Sequence, residues 1–153
     1  MKYLITFLHI CLISGLGYSQ EVRIKGTVEF SFSQSNIKAG ENYQVETASR
    51  KDGVVMDIKK LDRQSHWKIT VYKNDINWDN RVGIYVRRTS TGNGSGATWG
   101  GTNYVEIRSM PQNFLQGSGS LTNINLQYKL MGLSIEIPSN TYYTDIVYTL
   151  YEQ

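Results

Sequence analysis

Apolar and polar residues alternate with a period of two along most of the chain after residue 20, and that pattern predicts strands rather than helices. In VRIKGTVEFSF, residues 22–32, Val22, Ile24, Val28, Phe30 and Phe32 fall on one face, and Arg23, Lys25, Thr27, Glu29 and Ser31 on the other. This is the arrangement of a half-buried strand. Shorter runs of the same kind occupy residues 43–47, 54–61, 67–73, 82–89, 104–109, 123–131, 133–137 and 142–151. The stretches between them, KAGEN, KDG, KNDINWDN, TGNGSGATWGGTN, QGSGS and PSN, are built from residues that punctuate chains as turns. No window of a dozen residues keeps apolar spacings of three and four, so little or no helix is expected. Eight or nine short strands in one domain predict an antiparallel two-sheet β-sandwich, with a closed β-barrel as the alternative. Pro111 and Pro138 fall just before predicted strands, where a missing amide donor is harmless.

The first residues break the pattern. Lys2 precedes an apolar run from Leu4 to Leu16, and Gly17 and Ser19 stand at the −3 and −1 positions before Gln20. That order predicts a secretory signal peptide over residues 1–19, leaving a single domain over residues 20–153. The run is shorter than the ~20 apolar residues a membrane-spanning helix needs, so no membrane span is expected after cleavage. Cys11, the only cysteine, lies inside this segment and lacks the small preceding residues of a lipid-attachment site. The exported domain is therefore disulfide-free and must be held by its core alone.

Composition then narrows the partners. The formal net charge of +3 falls to +2 when Lys2 leaves, and the basic residues are scattered, with Arg87-Arg88 and Lys59-Lys60 the densest pairs. Neither figure suggests a nucleic-acid surface.

Candidate chemistry is sparse. Asp75, Asn77 and Asp79 in NDINWDN have the alternating oxygen spacing of a calcium loop, although Asn80 replaces the turn glycine and Val86 stands where a closing glutamate would be. The same residues also suit an Asx-rich turn, so Ca2+ is one reading of this loop and no cofactor is the other. His66 is the only histidine beyond residue 19 and no cysteine is left to act as a nucleophile; a hydrolytic triad needs an oriented base, and one histidine at a strand entrance is a poor candidate that reads better as a surface or edge residue. Asp57, Asp62, Asp75, Asp79, Glu106 and Asp145 are the carboxylates eligible for paired acid–base work, but they alternate with apolar positions as ordinary outward-facing residues do. The expectation is a protein that is not an enzyme. Trp78 in the Asx segment and Trp99 among glycines, with Tyr104 nearby in sequence, offer large apolar area at small entropy cost on loops. They suit a glycan ligand, or else they fold back over the sandwich edge. Trp67 shares parity with Ile69 and Val71 and belongs to the core.

The end of the chain, PSNTYYTDIVYTLYEQ, resembles the last strand of the secreted spore coat protein U and fimbrial-subunit group, with Thr141, Tyr143, Asp145 and Val147 carrying the likeness. That resemblance implies an immunoglobulin-like β-sandwich exported to the cell surface or periplasm as a structural, assembly or adhesion subunit, with other surface-protein subunits or further copies of itself as partners. Two departures are visible: the group's early cysteine pair is missing beyond residue 19, and Asn140 stands where glycine is usual. Fimbrial subunits of this kind also exchange an N-terminal strand carrying an embedded glycine, and Val22, Ile24, Gly26 and Val28 look like such a segment. The physical basis would be β-augmentation, in which backbone bonds give strength and alternate side chains fill pockets. The alternative is that this is strand one of a complete fold, with Gly26 at a bulge or a close backbone approach. In the final strand, Ile146, Tyr148 and Leu150 are expected to point inward, and Tyr143, Asp145 and Thr149 outward.

Overall fold

Alternation becomes strand wherever a neighbour can take up the backbone bonds. The computed structural model describes residues 20–28, 30, 45–134, 136–138 and 140–153. Residues 1–19, where the export signal is expected, lie outside them, as do Phe32 and Tyr43. The described chain contains eleven strands and no helix: β1 (Glu21–Gly26), β2 (Val45–Ala48), β3 (Val54–Lys59), β4 (His66–Asn77), β5 (Gly83–Arg88), β6 (Asn93–Gly94), β7 (Ala97–Gly100), β8 (Val105–Glu106), β9 (Gln112–Ser118), β10 (Leu121–Leu133) and β11 (Tyr143–Glu152). They form two antiparallel sheets. The first runs β1-β3-β10-β5-β8, with β2 and β6 also paired to β10; the second runs β11-β4-β9-β7. The fold is thus an all-β sandwich rather than a closed barrel.

Several elements differ from the sequence reading. The strand predicted over residues 22–32 ends as β1 at Gly26. β9 forms over Gln112–Ser118, where no strand is predicted, because its bulge buries both Phe114 and Leu115 and breaks the period of two. The predicted strands 123–131 and 133–137 do not divide at Gly132, because β10 runs through that residue and ends at Leu133. The KNDINWDN segment is not all turn, because β4 continues to Asn77 while β11 pairs with it as far as Tyr143. The glycine-rich segment is not all turn either: it supplies β6, bonded to β10, and β7, which pairs with β9 in the second sheet.

The core lies between the sheets. Met56 and Ile58 of β3, Ile69 and Val71 of β4, and Ile124, Leu126 and Leu130 of β10 have no exposed surface. Removing each such aliphatic chain from water contributes about 1.5–3 kcal/mol before conformational entropy is counted. Trp67 is their largest member, fully buried, and its indole Nε1 donates a 2.8 Å hydrogen bond to the Gly119 carbonyl. Its ring occupies the space above Gly117, where an added Cβ would lie 2.2 Å from Cζ2. That close approach, together with the Ala97 carbonyl at 2.4 Å, is why residue 117 has no side chain.

A polar clamp organises the first sheet. The Asp57 carboxylate is buried and accepts from the Lys25 ammonium of β1 at 2.8 Å and from the Asn123 amide of β10 at 3.0 Å. Asn123 sits at φ 58°, where the β3–β10 register slips between Leu121 and Ile124. Burial by itself would raise the Asp57 pKa, but the Lys25 bond, the Asn123 amide and the charges of Lys25 and Lys59 outweigh it, so the carboxyl stays below its ordinary range. One side chain thereby ties β1, β3 and the bulge of β10 together.

In β11, Ile146, Tyr148 and Leu150 pack against the core while Tyr143 is exposed, as the alternation predicts. Thr144, of the same parity, is also buried, and its hydroxyl donates to Asp75 Oδ1 at 2.8 Å. The Tyr148 hydroxyl crosses between the sheets to the Tyr128 hydroxyl of β10 at 2.7 Å. Burial pushes the Tyr128 pKa up to about 12, and burial followed by the neighbouring phenol raises that of Tyr148. A folded pKa above the unfolded value of about 10 leaves this stabilisation intact below pH 10 and removes it as the pH climbs through about 12. Denaturant titrations between pH 8 and 12 should therefore show stability falling above pH 10. The fall should be smaller in the Tyr128→Phe/Tyr148→Phe double variant. At neutral pH, either single variant leaves one buried hydroxyl unpaired and should cost about 1–2 kcal/mol, whereas the pair of changes should cost less than the two singles summed.

Candidate functional site

The two flanks of the sandwich are built differently. On one flank, residues 101–108 cross between the sheets: the Arg88 amide donates to the Gly101 carbonyl at 2.6 Å, the Ile107 amide to the Ile84 carbonyl at 2.7 Å, and the Lys73 amide to the Arg108 carbonyl at 2.8 Å. That side is stitched by the chain itself. On the other flank the first sheet ends on β1 and the second on β11, and each pairs on one side only among the described residues. The two strands meet at a corner, where the Gln20 amide reaches the Glu152 carboxylate. An edge strand presents a row of unpaired amides and carbonyls, the element from which β-augmentation is made.

The strand-exchange candidates lie on this open flank. Within the chain, β1 pairs with β3 from Glu21↔Lys59 to Gly26↔Val54. Ile24 and Val28 are buried and Val22 is half-buried against the core. Gly26 is a close backbone approach, as the sequence alternative held: its φ is 114°, and a Cβ there would lie 2.0 Å from the Gly53 carbonyl oxygen.

The three aromatic candidates do not form one site. Trp78 turns inward: its Nε1 donates to the Val82 carbonyl at 2.7 Å, its ring meets Tyr142 edge-on at 6.5 Å, and it packs against the core. Tyr104 lies on the outside of the first sheet, with the Arg87 guanidinium and the Lys129 ammonium each 4.6 Å from its ring centre. Those contacts hold the ring in place by cation–π attraction. Trp99 sits in β7, on the outside of the other sheet, and is half exposed. Sequence proximity of residues 99 and 104 concealed that the chain changes sheets between them.

The oxygen-rich segment is committed elsewhere. Asp75 pairs with Lys73 and accepts from Thr144, and the Asn77 side-chain amide donates to the Thr141 carbonyl at 2.8 Å. Asp79 grips Arg81 through its guanidinium and its amide, which hold the carboxyl at about 2. Among the described residues, no three His, Cys, Asp or Glu side chains gather where a metal ion could sit. His66 is exposed at the start of β4. Of the eligible carboxylates, Asp57, Asp75, Asp79 and Glu106 each face a lysine or an arginine. The carboxyls with displaced pKa values among the described residues, Glu21, Asp57 and Asp79, all move downward, the opposite of what a general acid requires.

What sequence reasoning missed is the outer face of the second sheet, where Lys68, Gln116 and Tyr151 align with Trp99. Lys68 has the parity opposite to Trp67, Ile69 and Val71 in the predicted strand 67–73, but its alignment with the other three depends on strand order. No protein-family model matches the chain, and no curated protein or solved structure is significantly similar to it.

Proposed function

We propose that this is an exported, non-enzymatic bacterial cell-surface protein that works in surface assembly or adhesion through the flank formed by β1 and β11. The observation that carries the reading is the asymmetry of the two flanks among the described residues, one stitched by crossing chain and the other ending on two edge strands. Ten residues of β11 have a ladder on one side only among the described residues, which is ample backbone for an added strand. The same flank carries both stretches that resemble spore coat protein U and fimbrial subunits. Support also comes from the committed carboxylates, since ion-paired side chains with lowered pKa values suit structure better than proton transfer.

Sedimentation of the exported chain should reveal assemblies that disappear when residues 20–28 are deleted and return when those residues are supplied as a peptide. If the intact chain is monomeric and the truncated chain remains folded, strand exchange is refuted. Cell fractionation should place the protein in the periplasm or on the outer surface.

A further inference from the structure

We infer that the outer face of the second sheet is a platform for a neutral glycan chain, with Trp99 and Tyr151 as its two stacking rings. The register of the sheet sets Tyr151 opposite Lys68, Lys68 opposite Gln116, and Gln116 opposite Trp99. All four belong to one row and one face. Ile69 and Val71, of the other parity in β4, are fully buried, and Gly117 faces the Trp67 ring, so residues 68, 116, 99 and 151 point away from the core.

The row spans the sheet from edge to edge. Trp99 and Tyr151 stand on the two edge strands, three interstrand steps apart, a distance of about 14 Å. That separation suits a short oligosaccharide rather than a single sugar ring. Trp99 is 50% exposed and Tyr151 46%, among the few large apolar side chains left in solvent. The Lys68 ammonium lies 5.6 Å from the Tyr151 ring centre and steadies it. Between the rings, Lys68 and Gln116 offer the donors and the acceptor that sugar hydroxyls require. The next row adds Thr149 and Asn113, on either side of Thr70. The Thr70 hydroxyl is buried and no group among the described residues takes it up.

This arrangement selects among occupants. Protein interfaces gather apolar rings at the centre and polar groups at the rim, whereas here two rings stand apart and polar side chains fill the space between them. A polyanion would call for clustered cations, and the ring row carries only Lys68. Apolar ring faces alternating with amide, hydroxyl and ammonium groups match the C–H faces and hydroxyl edges of a neutral sugar chain. The platform shares β11 with the assembly flank, since Tyr151 stands on that strand, but it uses the outward face of the sheet and not the backbone of its edge, and β1 contributes nothing to it.

Affinity electrophoresis of the full-length protein through gels containing hydroxyethylcellulose, xylan, glycol chitin or laminarin tests it. At least one polysaccharide should retard the wild type, and Trp99→Ala and Tyr151→Ala should each weaken that retardation about tenfold. Tyr104→Ala, on the opposite sheet, should leave it unchanged. Because Trp67 and Trp78 are packed inside, the polysaccharide that retards the protein should also blue-shift its tryptophan emission, and Trp99→Phe should abolish the shift while the circular dichroism stays native. No retardation by any of the four, or equal retardation of the wild type and folded Trp99→Ala, overturns the proposal. So does a wild-type dimer that Trp99→Ala converts to monomer, since a second copy would then occupy the face.

Discussion

Replacing Trp67 by alanine is expected to destabilise the protein by about 3–5 kcal/mol, the range for deleting a large aromatic chain from a packed core. Trp67 is fully buried between the sheets, and the alanine would leave both a cavity and an unpaired Gly119 carbonyl. The described domain contains no disulfide, so nothing covalent limits the damage. Against a total stability of roughly 5–15 kcal/mol for a domain of this kind, that loss is a large fraction. Guanidinium titration should show a lower midpoint with little change in slope. Trp67→Phe separates the two contributions: it retains much of the apolar volume but not the Nε1 donor, and should cost about 1–2 kcal/mol. A Trp67→Ala protein as stable as the wild type would mean that the two sheets do not meet over this residue.

The second large effect is expected at Gly26. Its φ of 114° lies in a region that side-chain-bearing residues rarely adopt, and its Cα faces the Gly53 carbonyl so closely that a Cβ would sit 2.0 Å from the oxygen. Backbone strain of about 1–3 kcal/mol combines with overpacking of similar size against backbone that has little room to give. Gly26→Ala should therefore cost about 2–6 kcal/mol or detach β1 from β3. Hydrogen exchange distinguishes these outcomes. Detachment would remove protection from the β1 amides while β4 and β10 stay protected; a strained but docked strand would lose protection throughout with the global stability. Unchanged thermal midpoint and unchanged β1 protection would show that β1 moves away from Gly53 at no cost. Detachment would bear on assembly as well, because a released β1 is the segment that strand exchange requires.

The β class, the lack of helix among the described residues and the inward parity of β11 were legible in the chain. Trp67, Ile69 and Val71 declared themselves as core by spacing alone. Other features could not be read that way. Trp78 and Trp99 both looked like loop aromatics, because the signal in each case was a bulky ring among glycine, asparagine or aspartate. Folding turned Trp78 inward to bond the Val82 carbonyl and drew Trp99 into β7. The Asx spacing of Asp75, Asn77 and Asp79 suggested converging oxygens, yet cross-strand neighbours and Arg81 claim them individually.

What the sequence determined by itself is which residues face inward, because side chains on a strand alternate and the hydrophobic effect acts on each alternate position wherever the strand lies. What only the tertiary structure decided is which strands lie side by side. That choice aligned Tyr151, Lys68, Gln116 and Trp99 in one row and left β1 and β11, among the described residues, as the edges of one flank. Such rows join residues far apart along the chain, and no local pattern encodes them. Strand order follows from how the whole set of apolar faces closes over a single core.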